Sequence, residues 1–336
     1  MSKVPVLVTG GAGYIGSHAV LALRDAGWTV AIIDDLSNGS REVVPEGVAF
    51  YEGDVADRSI VERIFKEQGV GAIMHFAGSI VVPESVERPL DYYRNNTIAS
   101  HSLISAAVAA GISPILFSST AATYGAPDRV PIREDDLKHP INPYGWSKLM
   151  TERMLEDAAS AGLISYGALR YFNVAGADPA GRSGQIGKGS THLIKIAVEA
   201  AVGKRERVAV YGTDYPTPDG TCIRDYIHVA DLAAAHVAAL EWLIAHPGRN
   251  LVVNCGYGQG LSVLAVLDAV DRANGSPIER VMERRRAGDP PQLVAANARM
   301  LETLDWRPAY ADIDRIVGDA LSWERNLADQ GKPGRT

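Results

Sequence analysis

The run Gly10-Gly11-Ala12-Gly13-Tyr14-Ile15-Gly16 constrains this chain more than any other stretch. Before it lies Val4-Pro5-Val6-Leu7-Val8-Thr9, which reads as a buried strand; after it, residues 17–26 carry a helical pattern that Gly27 stops. Residues 29–33 are strand-like again and end in Asp34-Asp35. Strand, glycine turn, helix, strand and acid is the order that wraps a dinucleotide. Gly11, Gly13 and Gly16 fit G-x-G-x-x-G, while Gly10, Gly13 and Gly16 fit the wider G-x-x-G-x-x-G. Glycines let the backbone approach a pyrophosphate, and the helix start offers free N–H groups and the positive end of its dipole. Asp34 follows Gly16 by 18 residues, where an acid reaches the adenosine ribose. A carboxylate there repels a 2′-phosphate, so the expected cofactor is NAD.

The alternation continues. Strands are expected at 48–51, 72–76, 114–118 and 165–171, with helices at 57–68, 89–110 and 144–161 between them. Repeated βα units predict a Rossmann-type, doubly wound parallel sheet. Ligands of such sheets bind beyond the carboxyl ends of the strands. Glycines and hydroxyl residues gather at those ends, at 10–16, 78–79 and 118–120. Thr120 and the helix of Tyr144 are therefore expected to face the dinucleotide crevice. After Tyr171 the rhythm breaks: 173–190 reads as a long loop, followed by helices at 191–202, 230–245, 262–274 and 313–327 and strands at 208–211, 251–254 and 280–283. The strand at 251–254 can return to the main sheet. The expectation is an α/β chain: an NAD-binding domain over 1–176 plus about 228–256, a smaller α+β substrate lobe over 177–227 and 257–330, and a mobile tail at 331–336.

Composition narrows the function classes. The chain has 336 residues, 46% hydrophobic and 22% charged, with a formal net charge of −7. That is a globular composition without the basic footprint of a nucleic-acid binder. No apolar stretch reaches the roughly 18 residues of a membrane span, and no signal-peptide pattern opens the chain. Cys222 and Cys255 have no metal-ligand spacing around them and read as packed, reduced thiols of a cytoplasmic protein. No metal site is expected.

Tyr144 and Lys148, in Asn142-Pro143-Tyr144-Gly145-Trp146-Ser147-Lys148, are spaced i, i+4 and share one helical face just after a proline suited to the first turn. A nearby ammonium favours a phenolate, so the pair can serve as an acid/base at a carbinol carbon. Alone, the spacing fits an exposed polar face better than an acid/base pair.

Together these residues resemble the extended short-chain dehydrogenase/reductase family, and within it the UDP-hexose 4-epimerase branch. The resemblance runs along nearly the whole chain, through the glycine turn to His18, Asp34-Asp35-Leu36-Ser37-Asn38-Gly39, His75-Phe76-Ala77-Gly78, Tyr92-Tyr93-Arg94-Asn95-Asn96, the segment 118–125, the Tyr144/Lys148 pair and Arg170-Tyr171-Phe172-Asn173. The most branch-specific marks are 211–228 and Arg285-Arg286-Ala287-Gly288-Asp289. The resemblance implies an NAD-dependent isomerase that inverts C4 of UDP-glucose or UDP-galactose through a 4-keto sugar. Thr120, Tyr144 and Lys148 would be catalytic. The cofactor would lie against Gly10, Gly13, Tyr14, Ile15 and Gly16, then Asp34, Asp35, Asn38 and Gly39, then Asp54, Val55, Phe76, Ala77 and Gly78. Asn95, Tyr144, Lys148 and Tyr171 would complete its site. The UDP-sugar would meet Thr120, Asn173, His192, Leu193, Ala209, Tyr211, Arg224, Tyr226, Arg286 and Asp289. A homodimer through helices near 91–110 and 144–161 is also implied, with no nucleic-acid or membrane partner.

Some positions depart from the family. Ile80 stands where a lysine is frequent, Asp35 where asparagine is, and Leu293 at a position that admits or blocks bulky 2-substituents on the sugar. UDP-pentose and UDP-N-acetylhexosamine therefore stay open as substrates. A dehydratase on this scaffold carries Asp-Glu after the hydroxyl residue, whereas this chain has Ala121-Ala122. A non-catalytic NAD sensor would not need Thr120, Tyr144 and Lys148 together. His75 reads as a structural histidine.

Overall fold

A computed structural model describes residues 3–186, 190–286 and 289–330. The chain opens with β1 (Val6–Thr9), α1 (Tyr14–Asp25), β2 (Val30–Asp34), β3 (Ala49–Glu52), α2 (Arg58–Gln68) and β4 (Ala72–His75). Helices α3 (Val82–Glu87), α4 (Pro89–Tyr92) and α5 (Ala99–Ala110) follow, with a π-helical turn, Tyr93–Ile98, between the last two. Then come β5 (Ile115–Thr120), a 3₁₀ turn (Ala121–Tyr124), α6 (Pro143–Ser160) and β6 (Tyr166–Tyr171).

The second half contains β7 (Asn173–Ala175), α7 (Leu193–Ala201), β8 (Val208–Tyr211), β9 (Ile223–His228), α8 (Val229–Ala245) and β10 (Leu251–Cys255). It ends with β11 (Gly260–Ser262), α9 (Val263–Asn274), β12 (Arg280–Glu283), β13 (Gln292–Leu293), α10 (Ala298–Thr303) and α11 (Ile313–Gln330).

The main sheet has seven strands, all parallel, in the order β10-β6-β5-β4-β1-β2-β3. Side chains alternate across it with the two-residue period of a strand. Val6, Val8, Val30, Ile32 and Met74 join α1 and α8 in one core. Leu7, Ala31, Ile33, Ile73 and Phe117 join α2, α5 and α6 in another. Strand order reverses between β1 and β4, and the crevice of a doubly wound sheet opens there.

A third core joins α7, α9 and α11 to β8 and Tyr226. Two small sheets border it: β12 pairs with β8, and β9 pairs with β7, β11 and β13. Here the structure adds to the sequence reading. The loop expected at 173–190 begins with β7, which exists because it pairs with the distant β9. β9 itself went unread because its sequence, Ile-Arg-Asp-Tyr-Ile-His, carries two adjacent charges and no apolar alternation. Helices α3 and α10 were also missed, both being short. The expected tail, 331–336, lies outside the described residues.

Candidate active site

A cavity of about 1250 Å³ runs along the carboxyl ends of the sheet and on between the sheet and the α7/α11 core. Its floor at one end is the glycine turn. Gly10 has φ +68°, and a Cβ there would stand 2.7 Å from Ala77 N. At Gly16 a Cβ would be 2.1 Å from Gly10 O, so no side chain fits between turn and helix. Helix α1 has no side-chain cap, which leaves its first N–H groups for an anion. Asp34 accepts from Ala12 N and Leu36 N, both at 2.9 Å, one on each carboxylate oxygen. Each oxygen keeps a lone pair for a hydroxyl. Burial raises the Asp34 pKa above the usual carboxylate value, against those N–H bonds.

Every residue assigned to the cofactor lines this cavity, including Asp35, Asn38, Gly39, Asp54, Val55, Phe76, Ala77, Gly78 and Asn95. Ile80 lines it too, and is about half exposed. No basic side chain stands beside the glycine turn in this half, whose wall is apolar, acidic or neutral polar (Ser37, Asn38, Ser40), and the turn's backbone faces it, so the donor set fits a pyrophosphate on N–H groups and a ribose on Asp34.

Midway along the cavity stand Thr120, Tyr144 and Lys148, all buried. Asn142 caps α6, its Oδ1 accepting from Gly145 N at 2.9 Å, and Pro143 occupies the first turn. The Thr120 hydroxyl accepts from Ala122 N at 3.1 Å and neighbours the Tyr144 phenol closely enough to bear on its ionisation. Lys148 Nζ donates to Ser118 O at 3.1 Å and lies 4.9 Å from the centre of the Phe117 ring. Burial lowers the Lys148 ammonium to about 8. Burial also raises the Tyr144 phenol above its ordinary value, while the Thr120 hydroxyl pulls it down. Burial thus opposes the depression of the tyrosine expected from Lys148. Both groups are desolvated, and desolvation disfavours both charges.

His75 is no base. Its Nδ1 accepts from Thr9 Oγ1 (2.6 Å) and its Nε2 donates to Ser100 Oγ (2.8 Å), with burial, then Lys148, lowering its pKa to about 3. The proton assignment follows from Ser100 Oγ donating to Asn96 O.

At the other end, Asn173, His192, Leu193, Tyr226, Arg286 and Asp289 are wall residues. Ala209, Tyr211 and Arg224 are not, which departs from the substrate set drawn from the sequence. Arg224 is turned to Asp289 in an ion pair and to Ile223 O at 2.7 Å. Tyr211 carries the Arg286 guanidinium 3.9 Å above its ring and so acts at one remove from the cavity. Ala287 and Gly288 lie outside the described residues. Ala121, Ala122, Phe172 and Leu293 make an apolar wall beside Thr120.

Sequence reading missed several contributors. Ser118 accepts Lys148 on its carbonyl and bonds the Tyr171 hydroxyl with its own. Asn96, in the π turn, accepts from Ser79 N at 2.7 Å and donates to Ser147 Oγ at 2.9 Å, tying the Gly78 corner to α6. The adjacent hydroxyls of 118–120 were a signal for the first, and Asn96 stood in the Tyr92–Asn96 run without an assigned role.

The fold and crevice define a dinucleotide-dependent enzyme of the doubly wound class. Residues 6–256 match the model of the NAD dependent epimerase/dehydratase family, and the chain belongs to that family. Its cofactor is NAD. The chain is 56% identical over 333 residues to a UDP-glucose 4-epimerase of Azospirillum brasilense, covering 98% of this chain and 95% of that one. It is similar to the UDP-glucose 4-epimerase of Brucella ovis in complex with NAD, with a TM-score of 0.92 and 44% identity over 96% of this chain and 98% of that one. The Bifidobacterium longum UDP-glucose 4-epimerase in complex with NAD⁺ and UDP aligns with a TM-score of 0.91 and 38% identity, covering 97% and 99%.

Proposed function

We propose that this chain inverts C4 of a UDP-hexose, interconverting UDP-glucose and UDP-galactose. It is an NAD-dependent isomerase. The observation that carries the reading is the buried Thr120–Tyr144–Lys148 group midway between an NAD-type glycine turn and an arginine-bearing end. NAD⁺, when bound, supplies a hydride acceptor for the sugar C4 and returns the hydride. Tyr144 takes the 4-hydroxyl proton as the carbon is oxidised and gives it back after reduction. Thr120 holds the 4-oxygen through its hydroxyl, beside the phenol. Lys148 supplies the positive charge that stabilises phenolate, from a side chain fixed by Ser118 O.

Inversion requires the 4-keto ring to present both faces. The wall beside Thr120 is apolar, made by Ala121, Ala122, Phe172 and Leu293, and offers the ring few anchors. Arg286, Asp289 and Tyr226 lie where they can hold the nucleotide, and an arginine suits its diphosphate. Ala121 and Ala122 bring no carboxylate to the reacting carbon, which disfavours water elimination. Leu293 is aliphatic and half-buried on the wall, so UDP-N-acetylglucosamine and UDP-xylose belong in the substrate screen.

The test is purified enzyme with each UDP-sugar, read by product chromatography. Epimerisation of UDP-glucose and UDP-galactose is expected. Tyr144→Phe should still bind UDP while kcat falls roughly 10²- to 10⁴-fold. Undiminished turnover rejects the assigned base.

The same reading extends to assembly and setting. Leu90 and Ile98 are 79% and 61% exposed next to α5 and α6, and we propose that two copies bury them against each other. Light scattering should give a dimer, and Ile98→Asp a monomer; a monomeric parent would reject this. Cys222 and Cys255 are buried free thiols, in keeping with a reducing cytoplasm, and interconversion of UDP-glucose and UDP-galactose would give the chain a place in galactose metabolism. Among the described residues no helix is long and apolar enough to cross a membrane.

A further inference from the structure

We propose that the buried ion pair of Glu152 and Arg170 positions Thr120 and Tyr144 for the proton transfer, acting through Ser119 and Tyr124. This rests on the C4 epimerisation reading. None of the four residues lines the cavity, and their exposures run from 0% for Ser119 to 6% for Glu152.

The geometry begins with strand alternation. At the end of β5, Ser118 and Thr120 face the cavity, so Ser119 faces the other way. There its Oγ donates to Glu152 Oε1. Glu152 lies on α6, two turns beyond Tyr144. Arg170, on β6 just before Tyr171, grips the same carboxylate with Nε at 2.9 Å and Nη2 at 2.5 Å. Its third nitrogen, Nη1, donates to Tyr124 Oη at 2.9 Å and to Glu134 O at 3.1 Å. Tyr124 closes the 3₁₀ turn that starts right after Thr120, and its hydroxyl donates to Asn254 Oδ1 at 2.7 Å.

Thr120 is thus clamped on both sides, one residue before and four after, by the two halves of one ion pair. The same pair fixes α6, which carries Tyr144 and Lys148, and β6, which carries Tyr171. All three elements that bring reactive groups to the cavity meet at this point on its far side. A buried ion pair is a weak source of stability, since apolar residues of like size replace it with little loss. What it does supply is a single register between elements. Misplacement of reacting groups by about 1 Å lowers turnover by as much as roughly 10²-fold.

The test compares Ser119→Ala, Glu152→Gln and Tyr124→Phe with Ser119→Thr, which keeps the hydroxyl, and with Tyr144→Phe. Steady-state constants, UDP affinity by calorimetry and the pH dependence of kcat are measured for each. For Ser119→Ala and Glu152→Gln, kcat should fall roughly 10- to 100-fold, with a displaced kcat–pH curve. KM for the UDP-sugar and the Kd for UDP should stay within about twofold, because the nucleotide end is untouched. Tyr124→Phe should show a smaller fall, and Ser119→Thr should restore turnover. Unchanged kcat in both Ser119→Ala and Glu152→Gln, beside an inactive Tyr144→Phe, overturns this inference alone. A parallel loss of kcat and UDP affinity also overturns it, since that marks general damage. An active Tyr144→Phe overturns the reaction reading and this inference together.

Discussion

Tyr144 and Lys148 face one constraint: each is used in its charged form, and each is buried where charge is disfavoured. Burial lowers Lys148 to about 8 and raises the Tyr144 phenol, so the phenolate depends on nearby positive charge. Lys148→Met keeps the stem and removes that charge. The tyrosine pKa must then rise, moving the acidic limb of the kcat–pH profile upward by about one to three units. A curve that stays in place contradicts the role given to Lys148. At Gly16 the constraint is space. Gly16→Ala puts a carbon 2.1 Å from Gly10 O, so NAD affinity, followed by fluorescence titration, should drop at least roughly tenfold. The reactive trio and the glycine turn were legible from the sequence because their chemistry is local: a spacing of four, or a turn only glycine can make. Ser119, Glu152 and Arg170 were not, because they meet only once three elements pack together. Arg224 read as a diphosphate partner, yet its position beside Asp289 gave it a carboxylate first.

Among elements, α6 matters most to the site, since its first turn carries Tyr144. Its start is set by Asn142 and Pro143, both visible in the sequence. Removing the cap in Asn142→Ala should lower stability by about 1 kcal/mol in urea titration. An unchanged midpoint would mean that packing alone holds the first turn. The main sheet was also readable, because its strands are apolar runs separated by helices of clear period. The smaller sheets were harder. β9 is buried although it carries Arg224 and Asp225, and Asp225 accepts from the N–H groups of Tyr257, Gly258 and Ala295. Such a strand is built from paired polar groups rather than from an alternating pattern, and its partners lie up to 70 residues away. β7 follows from β9 and was hidden for the same reason.

At the scale of the whole molecule, the cavity joins two unlike ends, and the cores around it set how the protein responds to acid. His18, His75 and His236 are buried, and burial lowers them from the ordinary 6.5 to about 4, 3 and 4. Below pH 6.5 the unfolded chain takes up these protons and the folded chain does not, so stability falls as pH drops toward 4. Asp225, raised by burial to about 6, works in the opposite sense, gaining protons in the folded state first. His192 is lowered by burial as well and Asp34 raised by it, so four histidines oppose two carboxylates, and the melting temperature should fall between pH 6.5 and 4.5; a flat or rising curve contradicts this balance. The central claim is that one carbon is oxidised and reduced again within a single site. The most direct measurement follows deuterium placed at C4 of UDP-galactose through conversion by the purified enzyme, without a second sugar acceptor. The account predicts UDP-glucose with the label retained at C4. Loss of the label to solvent, or oxidised sugar accumulating with a stoichiometric release of NADH, would contradict it.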